Sequence, residues 1–318
     1  MSPATAAAAV SAPASAPTPA PVFVLAAPFS GASRLTARLA GHPALYALPE
    51  LCLFMADTVG ELLDIFRLSQ GPHADGLLRA VAQLEFGVQA DPEIEAATQW
   101  LAQRREWTVG ALLDELARRV APRRLVIPDT ETPLRPNDLR RLRRHAPTAV
   151  AVQVVRHPWT QAQRLVRWGH DRLFIPPDFK DHAWDPPLIE PQVPWLRANR
   201  NIEQRYADAP QRLHRVSDES LDDAPSATLT ALCRWLELPD DAATLDAMHA
   251  DEAAWAYGGH GPRRAPYGLE AEVLEMPPAR ERGEPAAEAS LEAVLPWRPD
   301  GAGFDAGVIA LARRYGYR

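Results

Sequence analysis

Cysteine is nearly missing from this chain: Cys52 and Cys233 are the two in 318 residues, far apart and without metal-ligand spacing. That argues against a disulfide framework or a zinc site and makes a reducing cytosol the simplest compartment. No apolar run approaches the roughly 20 residues needed to span a bilayer. An excess of basic residues is missing too; the net charge of −7 argues against a general nucleic-acid binder. The first 21 residues, "MSPATAAAAVSAPASAPTPAP", lack the basic start and the strongly apolar core of a secretory signal and predict a disordered tail. What remains is ordinary globular composition, 47% apolar and 24% charged, on a chain long enough to bury a sizeable core.

Hydrophobic patterning then orders the chain. Residues 22–27 form a short continuous apolar run, as do "RLVIP" (124–128) and "AVAVQVV" (149–155). Runs of this length without alternation fit strands buried on both faces. Helices are predicted over 33–40, in "GLLRAVAQLEFG", and in "TVGALLDELARRVAP", where Thr108 is placed to cap the start. Further helices are expected at "RPNDLRRLRRHAP", 159–168, 195–207, 224–236 and "DAGVIALARRYGY", with a short strand near 213–216. A Pro-rich stretch, "FIPPDFKDHAWDPPLIEPQVP", reads as a surface lid or edge. Strand–helix–strand order with buried strands predicts an α/β fold, a three-layer sandwich with a mostly parallel central sheet. With no repeat and no linker, residues 22–318 are expected to form one domain.

Two stretches carry candidate chemistry. In "VFVLAAPFSGASRLTARLAGHP" a buried strand runs through a small-residue loop into a helix. Helix N-termini present unpaired N–H groups and a positive dipole end, and ligands of open α/β sheets lie beyond the strand C-termini. Ser30, Gly31, Ala32 and Ser33 are small enough to let the backbone wrap an anion, and Arg34 adds charge if it turns inward. The loop lacks G-x-x-x-x-G-K-[ST], so it is not that of nucleoside triphosphatases, and a plain strand-to-helix turn is the competing reading. In "VQVVRHPWTQAQRLVRW", Arg156 follows a buried strand directly, with Arg164 and Arg167 further along the next helix. A guanidinium offers a planar fork for phosphate. Arg167 reads as a surface charge; Arg156, at a strand end, is poorly explained by packing.

Together these segments resemble the sulfotransferase family. Its loop pattern, P-[KR]-S-G-[ST]-[ST], falls on Pro28, Phe29, Ser30, Gly31, Ala32 and Ser33, and its strand-end Arg with a Ser eight residues on falls on Arg156 and Arg164. "GHPALYALPELCLF", "RLHRVSDESLDDAPSATLTALCRWLEL" and "SLEAVLPWRPDGAGF" are also similar to the family, the last to bacterial members tied to assembly lines. The resemblance implies transfer of a sulfuryl group from 3′-phosphoadenosine 5′-phosphosulfate (PAPS) to a hydroxyl of a small molecule or carrier-bound metabolite, without a metal, a membrane or nucleic acid. It places the phosphosulfate on 28–33, with Arg34 as a possible helper, and the 3′-phosphate on Arg156 and Arg164. Phe29 in place of a basic residue and Arg164 in place of Ser depart from the pattern, and "VIPDTETP" lacks a Lys found in many relatives. A catalytically weakened scaffold protein is therefore the alternative.

The acceptor hydroxyl must lose a proton as it attacks, so a base is required. Glu85, toward the apolar face of its helix, is the leading candidate, with pairing to an Arg as the competing role. Asp129 and Glu131, just past the second apolar run, follow, or else cap a turn. His42 and His157, each beside a Pro, read as structural. Arg263 and Arg264, or Arg280 and Arg282, are candidates for a late basic loop over the 3′-phosphate but read by default as solvated charge. The run 140–144 reads as a solvated helix face.

Overall fold

The computed structural model describes residues 18–69, 72–169, 179–249, 255–274 and 290–318. Most of the N-terminal tail, residues 174–178 of the Pro-rich stretch, Arg280 and Arg282 lie outside the described residues.

Strand β1 (Val22–Ala26) leads into α1 (Ala32–Ala40) and β2 (Leu45–Ala47). Four helices follow: α2 (Val59–Ser69), α3 (Asp75–Phe86), α4 (Asp91–Ala102) and α5 (Val109–Val120). Next come β3 (Arg124–Asp129), α6 (Pro136–His145), β4 (Val150–Val155) and α7 (Pro158–Gly169). A small antiparallel pair, β5 (Lys180–Asp181) and β6 (Leu188–Ile189), precedes α8 (Gln192–Tyr206) and β7 (Leu213–Ser217). The chain continues through α9 (Ser220–Asp223), α10 (Pro225–Trp235), α11 (Ala242–His249), α12 (Ala271–Leu274) and α13 (Ala306–Arg314).

The main sheet has the order β2-β3-β1-β4-β7, and every pairing in it is parallel. The expected mostly parallel α/β sheet flanked by helices is thus present. Three apolar runs became its three central strands; β2, three residues long, lies between the predicted elements and was not anticipated. From β1 the chain departs toward β2, and from the adjacent β4 it departs toward β7. Right-handed crossovers then send the two connections to opposite faces, which opens a crevice beyond the C-termini of β1 and β4. The first loop and Arg156 stand at that crevice.

All five residues of β1 are buried, as a strand with helices on both faces requires. A large apolar cluster gathers β1 to β4 with α1 to α6, and a second one joins Ala27 and Val155 to Leu165, Trp195, Leu295 and Leu311. The strand ends that form the crevice therefore rest on packed hydrocarbon. No helix among the described residues is long and apolar enough to cross a membrane.

Thr108 caps α5 as its position predicts: its hydroxyl accepts a hydrogen bond from Ala111 N–H at 3.1 Å. Thr108→Ala should lower the free energy of urea unfolding by about 0.5–2 kcal/mol, the usual value of such a cap.

Candidate active site

Between β1 and α1 the backbone turns through two left-handed residues, Phe29 (φ 63°) and Gly31 (φ 93°). Gly31 is required on two counts: its dihedral favours glycine, and a Cβ there would lie 2.1 Å from Asp218 Oδ1. The turn is closed by Ser30 N–H donating to Ala27 C=O at 3.1 Å and braced by Gln161 of α7, whose amide donates to Pro28 C=O at 2.8 Å. These constraints leave N–H groups at the start of α1 available to an acceptor. One is already there. Glu270 accepts from Phe29 N–H at 2.6 Å and from Ser33 N–H at 3.1 Å, and its own N–H donates to the Ser33 hydroxyl at 3.0 Å. The Ser30 hydroxyl, fully buried in the same loop, finds no hydrogen-bond partner among the described residues. The cradle thus fits an anion, a carboxylate holds it, and a hydroxyl is left over.

Arg156 leaves the end of β4 and reaches this loop. Its guanidinium donates to Phe29 C=O at 2.6 Å and to Asp218 Oδ2 at 2.8 Å from Nε and 2.5 Å from Nη2. Arg34 does turn inward: it lies 4% exposed, 3.4 Å from Asp218 Oδ2, and also pairs with Asp222. Burial opposes its charge, but the two carboxylates outweigh that and hold its pKa above the ordinary value. Arg164 belongs to the same group. Desolvation, followed by repulsion from Arg156, brings its pKa down to about 10, which leaves it charged at neutrality. Pro28, Phe29, Ser30, Gly31, Ala32, Ser33, Arg34, Arg156 and Arg164 therefore gather at one crevice, with Asp218 balancing part of the positive charge.

A second wall is acidic. Glu50, just beyond β2, accepts from Thr130 N–H at 2.5 Å and from the Thr130 hydroxyl at 3.0 Å. Asp129, at the end of β3, accepts from Thr132 N–H at 2.8 Å and from its hydroxyl at 2.6 Å, so it does cap the following turn. Both carboxylates also accept from the single N–H of Glu131, each at 3.2 Å, which brings them side by side. Burial, then repulsion from Asp129, raises Glu50 to about 8; burial raises Asp129 to about 7 against the pull of its Thr132 hydrogen bonds. Titration belongs to the pair. Glu131 turns its own carboxylate to Arg135. Glu270 adds to the repulsion felt by Glu50, so the acidic wall and the anion cradle adjoin.

Glu85 is not in this group. It lies toward the C-terminal end of α3 and pairs with Arg119 of α5 at 2.9 Å, the competing role for a carboxylate on that face. Periodicity predicted its buried side correctly, and its side chain is 9% exposed. Its position along the helix, roughly 14 Å at 1.5 Å per residue from Gly76, whose backbone lies against the Glu50 carbonyl, separates it from the crevice. His42 accepts from Ala44 N–H and contacts Pro239 C=O, and His157 accepts from Trp159 N–H, both holding loops. Arg263 and Arg264 are exposed and pair with Asp91 and Glu95. The run 140–144 pairs along its length with Asn137, Asp138, Asp57 and Asp208. Three site residues escaped sequence reasoning: Glu50, Asp218 and Glu270. The first two had a signal, a lone acid in the apolar "LPELCLF" and an acid directly after the last strand.

Replacing Arg156 by Ala would take from the buried Asp218 its closest guanidinium and strip the Phe29 carbonyl of its donor. Breaking a buried pair in this way should cost about 3–5 kcal/mol, read as a lower urea midpoint.

The profile of the sulfotransferase family matches residues 21–242, more than half of the chain. The sulfotransferase domain from the curacin biosynthetic pathway superposes with a TM-score of 0.67 at 19% identity, covering 94% of this chain and 98% of that one. The sulfotransferase domain from the Synechococcus PCC 7002 olefin synthase gives 0.66 at 23% identity, with 96% and 98% covered. A search of curated proteins finds no match. The likeness to these two domains shows the fold, and the family profile, falling on the strands and loops that build the crevice, shows that the chain belongs to the sulfotransferase family.

Proposed function

We propose that this protein transfers a sulfuryl group from PAPS to a hydroxyl of a small molecule or a carrier-bound metabolite. The observation that carries the reading is the anion cradle: two loop N–H groups already converge on a carboxylate, with a buried, unpartnered Ser30 hydroxyl and the Arg156 guanidinium beside them. PAPS, when bound, supplies an activated sulfuryl group on a phosphosulfate anhydride. Residues 28–33 would hold the phosphosulfate, and Arg156 and Arg164, with Arg34 behind them, the 3′-phosphate. Asp218 fixes the Arg156 fork so that no rotamer search is needed on binding.

Glu50, with Asp129 beside it, replaces Glu85 as the proposed base. Its carboxylate stands at the crevice, and burial raises it to about 8, into the range where a carboxylate removes a proton from an approaching hydroxyl effectively. The proximity of Asp129 favours holding one proton between the two, so the unprotonated partner accepts while the other donates a hydrogen bond. The acceptor class rests on the two superposed domains, one named for a biosynthetic pathway and one for an olefin synthase. Two buried free cysteines fit a reducing cytosol as the place of action. Phe29 and the Glu270 carboxylate in the cradle favour a second reading, a weakened binding protein.

Addition of 3′-phosphoadenosine 5′-phosphate (PAP), the desulfated product, should raise the melting temperature, because a ligand at 100 times its Kd stabilises the folded state by about 2.7 kcal/mol. No shift with PAP or PAPS removes the transferase reading; a shift without sulfate reaching any acceptor selects the second one. The base assignment has its own test. Because the Glu50 pKa is raised on folding, the folded state binds more protons than the unfolded chain, and stability falls as pH rises from about 4.5 to about 8. The slope is at most about 1.4 kcal/mol per pH unit for one proton. Glu50→Gln should flatten that decline in urea titrations and abolish the rise of turnover with pH over the upper part of the same window.

A further inference from the structure

The segment bearing Glu270 is built as a strap. Its root is pinned by Arg79 of α3, a 2%-exposed guanidinium that donates to the carbonyls of Tyr257 and Tyr267, both at 2.8 Å. Asp75 accepts from Tyr267 N–H at 3.0 Å. At Gly268 (φ 105°) the strap lies directly on α3, where a Cβ would come within 2.6 Å of the Gly76 Cα. The Gly268 carbonyl accepts from Glu50 N–H at 2.8 Å. Beyond that glycine, Leu269 is buried, Glu270 enters the cradle and the single turn of α12 follows.

The tip is held differently from the root. Glu270 makes three hydrogen bonds to the loop, two through its carboxylate and one through its N–H, all with groups at Phe29 and Ser33. These are the N–H groups that an incoming phosphosulfate needs. A carboxylate brings one negative charge on two oxygens. A phosphosulfate brings two charges on more oxygens, so it also meets the Ser30 hydroxyl that Glu270 leaves unpartnered. Burial pushes the Glu270 acid upward and Arg156 only partly offsets this, so its seat is tolerated rather than ideal.

We propose that Glu270 is a built-in occupant of the anion cradle, which keeps the loop in its binding shape and must withdraw, carrying residues 269–274 about Gly268, when the nucleotide enters. This rests on the reading that the cradle takes a phosphosulfate. The strap is thereby a competing ligand in the same chain. A cradle self-occupied nine-tenths to ninety-nine hundredths of the time weakens apparent affinity by about 10- to 100-fold. The contact from Gly268 to Glu50 places the hinge beside the proposed base, so withdrawal also alters the surroundings of the acceptor.

Calorimetric titration of the full chain with PAP, and separately with inorganic pyrophosphate, tests this in wild type, Glu270→Gln and Glu270→Ala. The expected result is at least about tenfold tighter PAP binding in both variants. Equal affinities in all three proteins overturn the strap and leave the nucleotide reading standing. Pyrophosphate bound more tightly by the variants, with PAP bound by none, supports the strap and removes the nucleotide reading; no binding of either anion by any protein overturns both. Hydrogen exchange on the wild type needs no variant. Saturating PAP should speed exchange at residues 269–274 by at least about tenfold, as a gate that opens requires, and slow it at 29–33. Unchanged exchange at 269–274 with PAP bound overturns the proposal.

Discussion

The crevice depends on one buried guanidinium. Arg156 ties the end of β4 to the loop after β1 through Phe29 C=O and to the residue after β7 through Asp218. Its own carbonyl accepts from Trp195 Nε1–H of α8 at 2.9 Å, and Asp218 N–H returns to Val155 C=O at 2.8 Å. Three neighbouring parallel strands thus end at a common charged knot. Parallel strands have no hairpins to fix their ends, and side chains at the C-terminal edge must supply that registration. A planar fork with several donors does this in one residue, where a Lys offers a single point of charge.

Around that knot the charges are arranged in layers. Arg34, Arg156 and Arg164 form the basic side, Asp218 is inserted among them, and Glu50 and Asp129 line the far wall. Phe29 fits this arrangement through its backbone. Its N–H and C=O both serve the cradle, whereas its ring packs into the second apolar cluster with Trp159 and Trp297. The departure from a basic residue at this position therefore trades a charge for a hydrophobic anchor. The left-handed conformation it adopts costs on the order of 1–2 kcal/mol for a residue with a Cβ, and burial of the ring offsets part of that.

Much of this was legible in the sequence because it is local. Buried parallel strands announce themselves as unbroken apolar runs; the loop and Arg156 adjoin strand ends, and Arg164 was read from its spacing of eight residues after Arg156. Glu85 shows the limit of periodicity: it reports which face of a helix is buried, not which end approaches a site. Glu50 follows a strand of three residues, too short to leave a pattern. Glu270 was out of reach for a different reason. Its partners lie 241 and 237 residues away, and nothing in "YGLEAEVLEM" marks a carboxylate that folds back onto the first loop.

The sequence contains one lysine, Lys180, and the three cations found at the crevice among the described residues are all arginines. Guanidinium groups stay ionised across the whole biological range, while burial raises Glu50 to about 8 and Asp129 to about 7, within that range. The positive floor is therefore permanent and only the opposing wall is adjustable. In mildly acidic surroundings the crevice gains net positive potential without losing a single basic group, and its attraction for polyanions grows by removal of negative charge alone.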